Sequence, residues 1–272
     1  MKPTTTAPKP VSLVLIFILF FIIPIGASWL PATRDVQKWI AVVLLLALTI
    51  YFLKKEGRGL SALGLRYRSF PHFFVGMLLG LICFCVLVIV QIWYNHYSLT
   101  SLANVDYGLV LLGLWALLPG VLMEELIFRG YCFVGTTRRI GFPKANLIFA
   151  FMFIVWHWIA LNAWGNAGFM LSLITTGFGH LFFAVGLKRS GTLFFPIGVH
   201  LGNNWASRNG FGYQLSGGPV GEHDTIFAMT GDASSFSTLH TIISYLITIS
   251  IFLLFTWLTT VWYEGKPGLG LK

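Results

Sequence analysis

Long, almost uncharged apolar runs recur along the whole 272-residue chain and constrain its fold more than any other feature. A helix needs about 20 apolar residues to cross the hydrocarbon core of a bilayer. We predict an all-α polytopic membrane protein, with about eight transmembrane helices enclosing an intramembrane cavity that opens to the cytoplasm. The predicted segments are 11–31, 36–53, 72–94, 107–128, 145–163, 168–187, 191–207 and 237–262.

The composition agrees with a membrane protein and argues against a soluble one. Hydrophobic residues make up 56% of the chain and charged residues only 10%, whereas a soluble domain is about 25% charged. The net charge of +9 therefore does not indicate nucleic-acid binding, and we expect the lipid bilayer as a partner instead. Three cysteines, Cys83, Cys85 and Cys132, match no zinc-site or disulfide spacing and are interpreted as packing residues.

The positions of Lys and Arg predict the orientation, because cytoplasmic loops carry an excess of basic residues. If the N-terminus is cytoplasmic and the segments alternate, the outside receives only Arg34, Lys38 and Arg208. We therefore expect both termini to be cytoplasmic. The inside set then consists of Lys2, Lys9, Lys54, Lys55, Arg58, Arg66, Arg68, Arg138, Arg139, Lys144, Lys188, Arg189, Lys266 and Lys272.

The apolar segments and the predicted orientation together divide the chain into five parts. We predict a short cytoplasmic arm over 1–10, N-terminal transmembrane helices over 11–106, and a core that carries the candidate site over 107–207. A Gly- and Ser-rich extracytoplasmic loop follows over 208–236, and 237–272 holds the last transmembrane helix and a cytoplasmic tail. The first apolar run resembles a signal peptide in its flanks, but its length favours a retained helix.

The fourth segment ends in "MEELIF", with Arg129 directly after it, and its two acids are the only ones within any predicted span. A charge at mid-membrane costs about 2.5–3.5 kcal/mol on insertion scales and marks a functional candidate. Glu125 and Arg129 are four residues apart in the order that favours an ion pair, which by itself would also fit a purely structural role. Glu124 is rotated by about 100° from Glu125 on the helix, so it needs a different partner.

Histidines in later segments supply candidate partners for Glu124. His157 follows Phe153 by one helical turn in the fifth segment, and His200 precedes Asn204 by one turn in the seventh. Residues four apart point the same way, so each pair shares a helix face. His180, in the sixth segment, is interpreted as a core residue or an interhelical hydrogen-bonding group.

A carboxylate, two imidazoles and an amide in a partly dry cavity are suited to activating water. Glu124 is the candidate general base, His157 the group that orients the water, and His200 with Asn204 the candidate oxyanion donors. Arg129 would keep Glu125 ionised. The chain contains no H-E-x-x-H and no G-x-S-x-G, and each Asp lies in a loop. We expect no cofactor, although Glu and His are competent ligands and a divalent metal is an alternative.

Three motifs resemble the CPBP family, the CAAX proteases and bacteriocin-processing enzymes that are also called Abi proteins. "EELIFR" at 124–129 is similar to the family's E-E-x-x-x-R, "FIVWH" at 153–157 to its F-x-x-x-H, and "HLGNN" at 200–204 to its H-x-x-x-N. The motifs occur in the family's order on three different apolar segments. The resemblance covers about residues 107–207.

The resemblance implies an intramembrane glutamic endopeptidase, similar to the type II CAAX prenyl endopeptidases, whose site opens to the cytoplasm. It implies that Glu124 activates the water, that His157 assists, and that His200 and Asn204 form the oxyanion hole. The implied substrate is a membrane-associated peptide or protein, including a prenylated CAAX-like one. The implied location is a bacterial cell membrane.

Two other functional classes fit the same buried residues. A proton-coupled transporter would use the Glu and His side chains as a proton relay. A non-catalytic immunity or scaffold protein would use them only to hold helices together. The His200 and Asn204 donor pair favours the enzyme, because neither alternative needs it.

Overall fold

The structure is a computed structural model that describes residues 10–212, 223–231, 236–263 and 271. The predicted N-terminal arm, apart from its last residue, lies outside the described residues, and so do most of the predicted C-terminal tail and parts of the predicted 208–236 loop. The described chain forms ten α-helices, two short strands and brief 3-10 and π turns.

The helices follow one another with short connections for most of the chain. They are α1 Pro10–Ala27, α2 Arg34–Lys55, α3 Pro71–Asn95, α4 Tyr107–Phe128, α5 Tyr131–Ile140, α6 Phe142–Ala160, α7 Ala167–Ser172, α8 Ile174–Ser190, α9 Phe194–Trp205 and α10 Thr238–Trp262. Strands β1 Ser98–Ser101 and β2 Phe227–Thr230 pair antiparallel, with Ser98 opposite Thr230.

Six helical stretches are long and apolar enough to cross a membrane, which confirms the all-α polytopic membrane fold. They are Arg34–Lys55, Pro71–Asn95, Tyr107–Ile140, Phe142–Ala160, Ala167–Ser190 and Thr238–Trp262. The stretch Leu13–Ala27 of α1 and the 12-residue α9 are too short to be included among them, so the total of eight spans stays a prediction. Large apolar side chains on the outside of the bundle, such as Trp93, Trp115 and Phe151, are exposed as lipid-facing residues would be.

One end of the bundle gathers the chain segments that carry most of the basic residues. Arg189 Nε donates to the carbonyl oxygen of Tyr263 at 2.9 Å, and Leu193 N donates to Leu63 O at 3.0 Å. The hydroxyl of Tyr131, at the start of α5, bonds the carboxylate of Glu56 just after α2. We call this the basic end; its elements carry Lys54, Lys55, Arg58, Arg66, Arg68, Arg138, Arg139, Lys144, Lys188 and Arg189.

The opposite end is closed by the two-stranded sheet and the segments around it. Asp106 N, before α4, donates to His223 O at 2.8 Å. The side-chain amide of Asn209, after α9, donates to Asp224 O at 2.7 Å. We call this the sheet end. Because α4 begins at the sheet end and finishes beside Tyr131, the site residues on α4 lie nearer the basic end.

Helix α9, which carries two of the candidate residues, packs backbone to backbone against α3. A Cβ atom on Gly76 or Gly80 of α3 would collide with the carbonyl oxygens of α9, and one on Gly198 or Gly202 of α9 would collide with those of α3. Small residues spaced by four allow such close approach between membrane helices. The glycine pairs therefore determine how deep α9 sits in the bundle.

We predict that Gly80→Ala lowers the free energy of unfolding by about 1–3 kcal/mol, because the added methyl group forces α3 and α9 apart where they pack. The added Cβ would meet the backbone of Val199, which cannot rotate away as a side chain can. Thermal unfolding in detergent measures the effect. Gly26→Ala is the matched control, because a Cβ there meets nothing within 4 Å; equal melting temperatures for the two variants would contradict the prediction.

Candidate active site

The two adjacent acids on α4 face different surroundings, as their rotation on the helix predicts. The Glu125 side chain is fully buried, at 0% exposure. The Glu124 side chain retains 17% exposure and lines a cavity of about 520 Å³. Glu124 is therefore the acid that a water molecule or a substrate can reach.

The predicted ion pair between Glu125 and Arg129 is present. Arg129 Nη1 donates to Glu125 Oε1 at 2.7 Å, and both side chains have no exposed surface. The guanidinium carbon lies 4.5 Å from the ring centre of Phe153 and 5.1 Å from that of Phe183. These aromatic faces supply further favourable contacts for a cation held away from water.

Glu125 also holds His200, a contact that links α4 to α9. The Nδ1 atom of His200 lies 2.8 Å from Glu125 Oε1. Since the carboxylate that pairs with Arg129 only accepts hydrogen bonds, Nδ1 carries the hydrogen. The other ring nitrogen, Nε2, then points toward the neighbouring acid and lies 3.7 Å from Glu124 Oε2.

A tryptophan that sequence reasoning missed contacts the candidate base. Trp156 Nε1 donates to Glu124 Oε1 at 3.2 Å, and its indole packs edge-on against Phe21. The indole N–H therefore orients the carboxylate from α6. The sequence feature that could have identified Trp156 is its polar N–H group within an apolar span, directly before His157 in "FIVWHW".

His157 is held by the backbone of its own helix. Its Nδ1 atom lies 2.8 Å from the carbonyl oxygen of Phe153. Because a carbonyl oxygen only accepts, Nδ1 is the protonated nitrogen, and Nε2 of the neutral ring is left as an acceptor. The Phe153 ring stands edge to face with His157, with centroids 4.5 Å apart.

The four residues predicted to be catalytic line the same cavity. Glu124 comes from α4, His157 from α6, and His200 and Asn204 from α9. Phe153, on α6, lines the cavity too, between the ring of His157 and the guanidinium of Arg129. The geometry thus brings a partly exposed carboxylate together with two imidazoles and an amide.

A family comparison shows which proteins the segment that carries this arrangement resembles. Residues 106–206 match the family model for Rce1-like proteins, described as type II CAAX prenyl endopeptidase Rce1-like. This segment is therefore similar to Rce1-like proteins, and we call it the Rce1-like segment. No curated protein and no solved structure matched the chain.

The Rce1-like segment agrees to within one residue at each end with the extent of the resemblance, about residues 107–207, and it contains all three motifs. The resemblance to the CPBP and CAAX-protease family is confirmed. The Rce1-like family is a protease family, and together with the apolar helices it supports an integral membrane peptidase acting on a peptide or protein substrate.

His180 lies in the interior of the Rce1-like segment. The sequence allowed two interpretations for it, a core residue or an interhelical hydrogen-bonding group, and the structure favours the first. It is fully buried, and its ring lies 5.9 Å from that of Phe133 and 5.8 Å from that of Phe153. Neither of its nitrogens has a hydrogen-bond partner among the described residues. The interhelical hydrogen bond is therefore not formed within the described part of the chain.

Metal binding was the alternative chemistry for the acids and histidines of the Rce1-like segment. Within residues 10–212, 223–231, 236–263 and 271, no group of three or more His, Cys, Asp and Glu side chains is arranged to hold a metal ion. The three cysteines are free; Cys83 and Cys132 are buried and Cys85 is partly exposed, as packing residues would be.

Proposed function

We propose that this protein is an intramembrane glutamic endopeptidase that hydrolyses a peptide bond of a membrane-associated protein or peptide. The observation that carries the proposal is the position of Glu124, which faces the cavity beside His157, His200 and Asn204. A prenylated CAAX-like chain is one candidate substrate, because residues 106–206 match the Rce1-like model.

In the proposed first step, the Glu124 carboxylate takes a proton from a water molecule in the cavity. The water oxygen bonds to the scissile carbonyl carbon, and the carbonyl electron pair moves to its oxygen. The unprotonated Nε2 of His157 accepts a hydrogen bond from the second O–H of the water and so orients it. This role is supported by the carbonyl of Phe153, which occupies the Nδ1 side of the ring.

His200 and Asn204 stabilise the negative charge on the tetrahedral intermediate. His200 donates to Glu125 through Nδ1, so it can donate to the oxyanion through Nε2 only as an imidazolium. Two carboxylates flank the ring: Glu124 Oε2 lies 3.7 Å from Nε2 and Glu125 Oε1 lies 2.8 Å from Nδ1. Asn204 supplies a neutral amide donor one helical turn further along α9.

In the second step, the intermediate collapses and the C–N bond breaks. The proton held by Glu124 passes to the leaving nitrogen, so Glu124 returns to its carboxylate form. The products are a new amine and a new carboxylic acid, whose proton then passes to the amine or to water. Glu125 and Arg129 position His200 without touching the substrate. The step needs no cofactor.

The proposed orientation has both termini on the cytoplasmic side of a bacterial cell membrane. It is supported by the basic end, where the described Lys and Arg side chains concentrate, and by the few at the sheet end. Cytoplasmic segments carry this excess in membrane proteins.

The test is hydrolysis by the purified protein in proteoliposomes, in water enriched in ¹⁸O. Membrane peptides from cells that lack the protein are supplied, and new termini are identified by mass spectrometry. We expect new carboxyl termini that contain ¹⁸O, and we expect them in the presence of EDTA. Proton-coupled uptake without new termini would instead support a transporter, and loss of cleavage in EDTA would support a metal-dependent site.

A further inference from the structure

The Glu124 carboxylate is held from one side by a residue of the protein interior. Trp156 is buried and is not among the described residues that line the cavity. Its Nε1–H donates to Glu124 Oε1 at 3.2 Å, while Oε2 lies on the side of His200, 3.7 Å from Nε2 of that ring. A donor at Oε1 fixes the rotation of the carboxylate, and so it fixes the direction in which Oε2 faces.

Trp156 is in turn held by helix α1. The ring of Phe21 stands edge to face with the indole, with centroids 5.1 Å apart. Phe17, one turn earlier in α1, stands in the same way against Phe149 of α6, at 5.4 Å. Residues four or seven apart share a helix face. One face of α1 therefore lies along the face of α6 that carries the indole.

The same face of α1 contacts the helix that carries the candidate base. Phe17 stands edge to face with Phe128 of α4, with centroids 6.0 Å apart. Phe128 is fully buried, and its ring lies 6.3 Å from the indole of Trp156. Because buried side chains are close-packed, the indole cannot turn away from Glu124 unless Phe21 or Phe128 moves.

We infer that α1 is part of the active site: Phe21 positions the indole of Trp156, and the indole positions the Glu124 carboxylate. The inference rests on the proposed function for the role of Glu124 as the base. Neither Phe21 nor Trp156 is among the described residues that line the cavity, so both are positioning residues rather than catalytic ones.

Helix α1 lies outside the Rce1-like segment of residues 106–206. Its apolar run is the one whose flanks resemble those of a signal peptide. A chain without α1 would keep all three motifs and lose the ring that holds Trp156 in place. The three motifs alone are therefore not sufficient for full activity of this protein.

Trp156→Phe removes the N–H donor and keeps an aromatic ring in the cluster. We expect kcat for peptide hydrolysis to fall by about 10–100-fold, because misplacing a catalytic group by about 1 Å can cost about 10²-fold. We expect KM to change little, because the cavity lining is unchanged. Trp158→Phe is the matched control: its indole, two residues further along α6, donates to the carbonyl oxygen of Met170 at 3.0 Å. We expect its kcat to stay close to that of the wild type.

The indole N–H signal of Trp156 in a ¹⁵N–¹H correlation spectrum reports its position independently of activity. The chain has ten tryptophans, and the Trp156 signal is the one that Trp156→Phe removes. We expect Glu124→Gln to shift this signal, because a neutral amide oxygen makes a weaker hydrogen bond than a carboxylate. We expect Glu56→Gln to leave it in place.

Phe21→Ala tests the contribution of α1. We expect it to shift the Trp156 signal and to lower kcat per folded molecule by up to about 10-fold, less than the cost of a fully misplaced group. Ile22→Ala is the control, because the side chain of Ile22 is exposed on the outside of the bundle; we expect neither effect from it. If Phe21→Ala does not fold, Phe21→Leu replaces it, since leucine fills much of the space but has no ring edge.

The outcomes separate this inference from the proposed function. An unshifted Trp156 signal in the folded Phe21 variant would overturn the role of α1. Equal kcat for Trp156→Phe and Trp158→Phe would also overturn the inference, and an inactive Glu124→Gln would then leave the proposed function standing. Wild-type turnover by Glu124→Gln would remove the proposed function, whereas a shift of the indole signal in the Phe21 variant would still show that α1 positions Trp156.

Discussion

Glu124→Gln is expected to lower kcat for peptide hydrolysis by about 10²–10⁴-fold, the contribution usual for a positioned general base. The amide has nearly the same shape as the carboxylate, and its oxygen still accepts the hydrogen bond from Trp156. It cannot take a proton from water. Because the cavity walls are unchanged, substrate binding and KM are expected to change little.

Glu56→Gln is the matched control, because it makes the same chemical change at an acid outside the cavity. Glu56 bonds Tyr131 and Arg58 near the basic end. We expect its activity per folded molecule to stay close to that of the wild type. Steady-state kinetics on the substrate identified by mass spectrometry compares the two variants, and wild-type turnover by Glu124→Gln would remove Glu124 from the mechanism.

Arg129→Met is expected to give the largest loss of stability, about 3–5 kcal/mol in the free energy of unfolding. Removing one partner of a buried ion pair leaves the other charge without compensation. The Glu125 carboxylate is fully buried and would keep only the contact from His200. Unfolding in mixed detergent, followed by tryptophan fluorescence, measures the change.

A double variant and a surface variant are the controls for this loss. Glu125→Gln combined with Arg129→Met removes both charges and keeps an oxygen that accepts from Nδ1 of His200, so we expect it to recover part of the stability. Lys38→Met breaks an exposed pair with Asp35, whose atoms lie 3.8 Å apart, and such pairs contribute about 0–1 kcal/mol. A stability loss for Arg129→Met no larger than that for Lys38→Met would show that the buried pair is not structural.

Hydrophobic runs predicted the helices well where one apolar run forms one helix. The predicted segments 72–94 and 237–262 agree with α3 and α10 to within one residue at each end. The run 168–187 is divided at Leu173 into α7 and α8, and the amphipathic helix α5 follows the fourth segment without having been predicted. Hydropathy averaged over a span cannot show a local break or a helix that lies outside the apolar runs.

In the candidate site, too, local sequence patterns predicted some side-chain contacts and could not predict others. Spacing along a single helix predicted the Glu125–Arg129 pair, and the motifs singled out His157, His200 and Asn204. The contact between Glu125 and His200 joins residues 75 positions apart, and that between Trp156 and Glu124 joins residues 32 apart. No local pattern encodes either contact.

The amino-acid sequence by itself determined that the chain is helical and membrane-embedded, and which polar side chains lie within its apolar segments. Those properties follow from local physics: the length of an apolar run and the expense of burying a charge. Only the tertiary structure decided that Glu125 rather than Glu124 accepts from Nδ1 of His200, and that Asn204 lines the same cavity as Glu124. Both depend on how deep α9 packs against α3, which glycine contacts between distant segments determine.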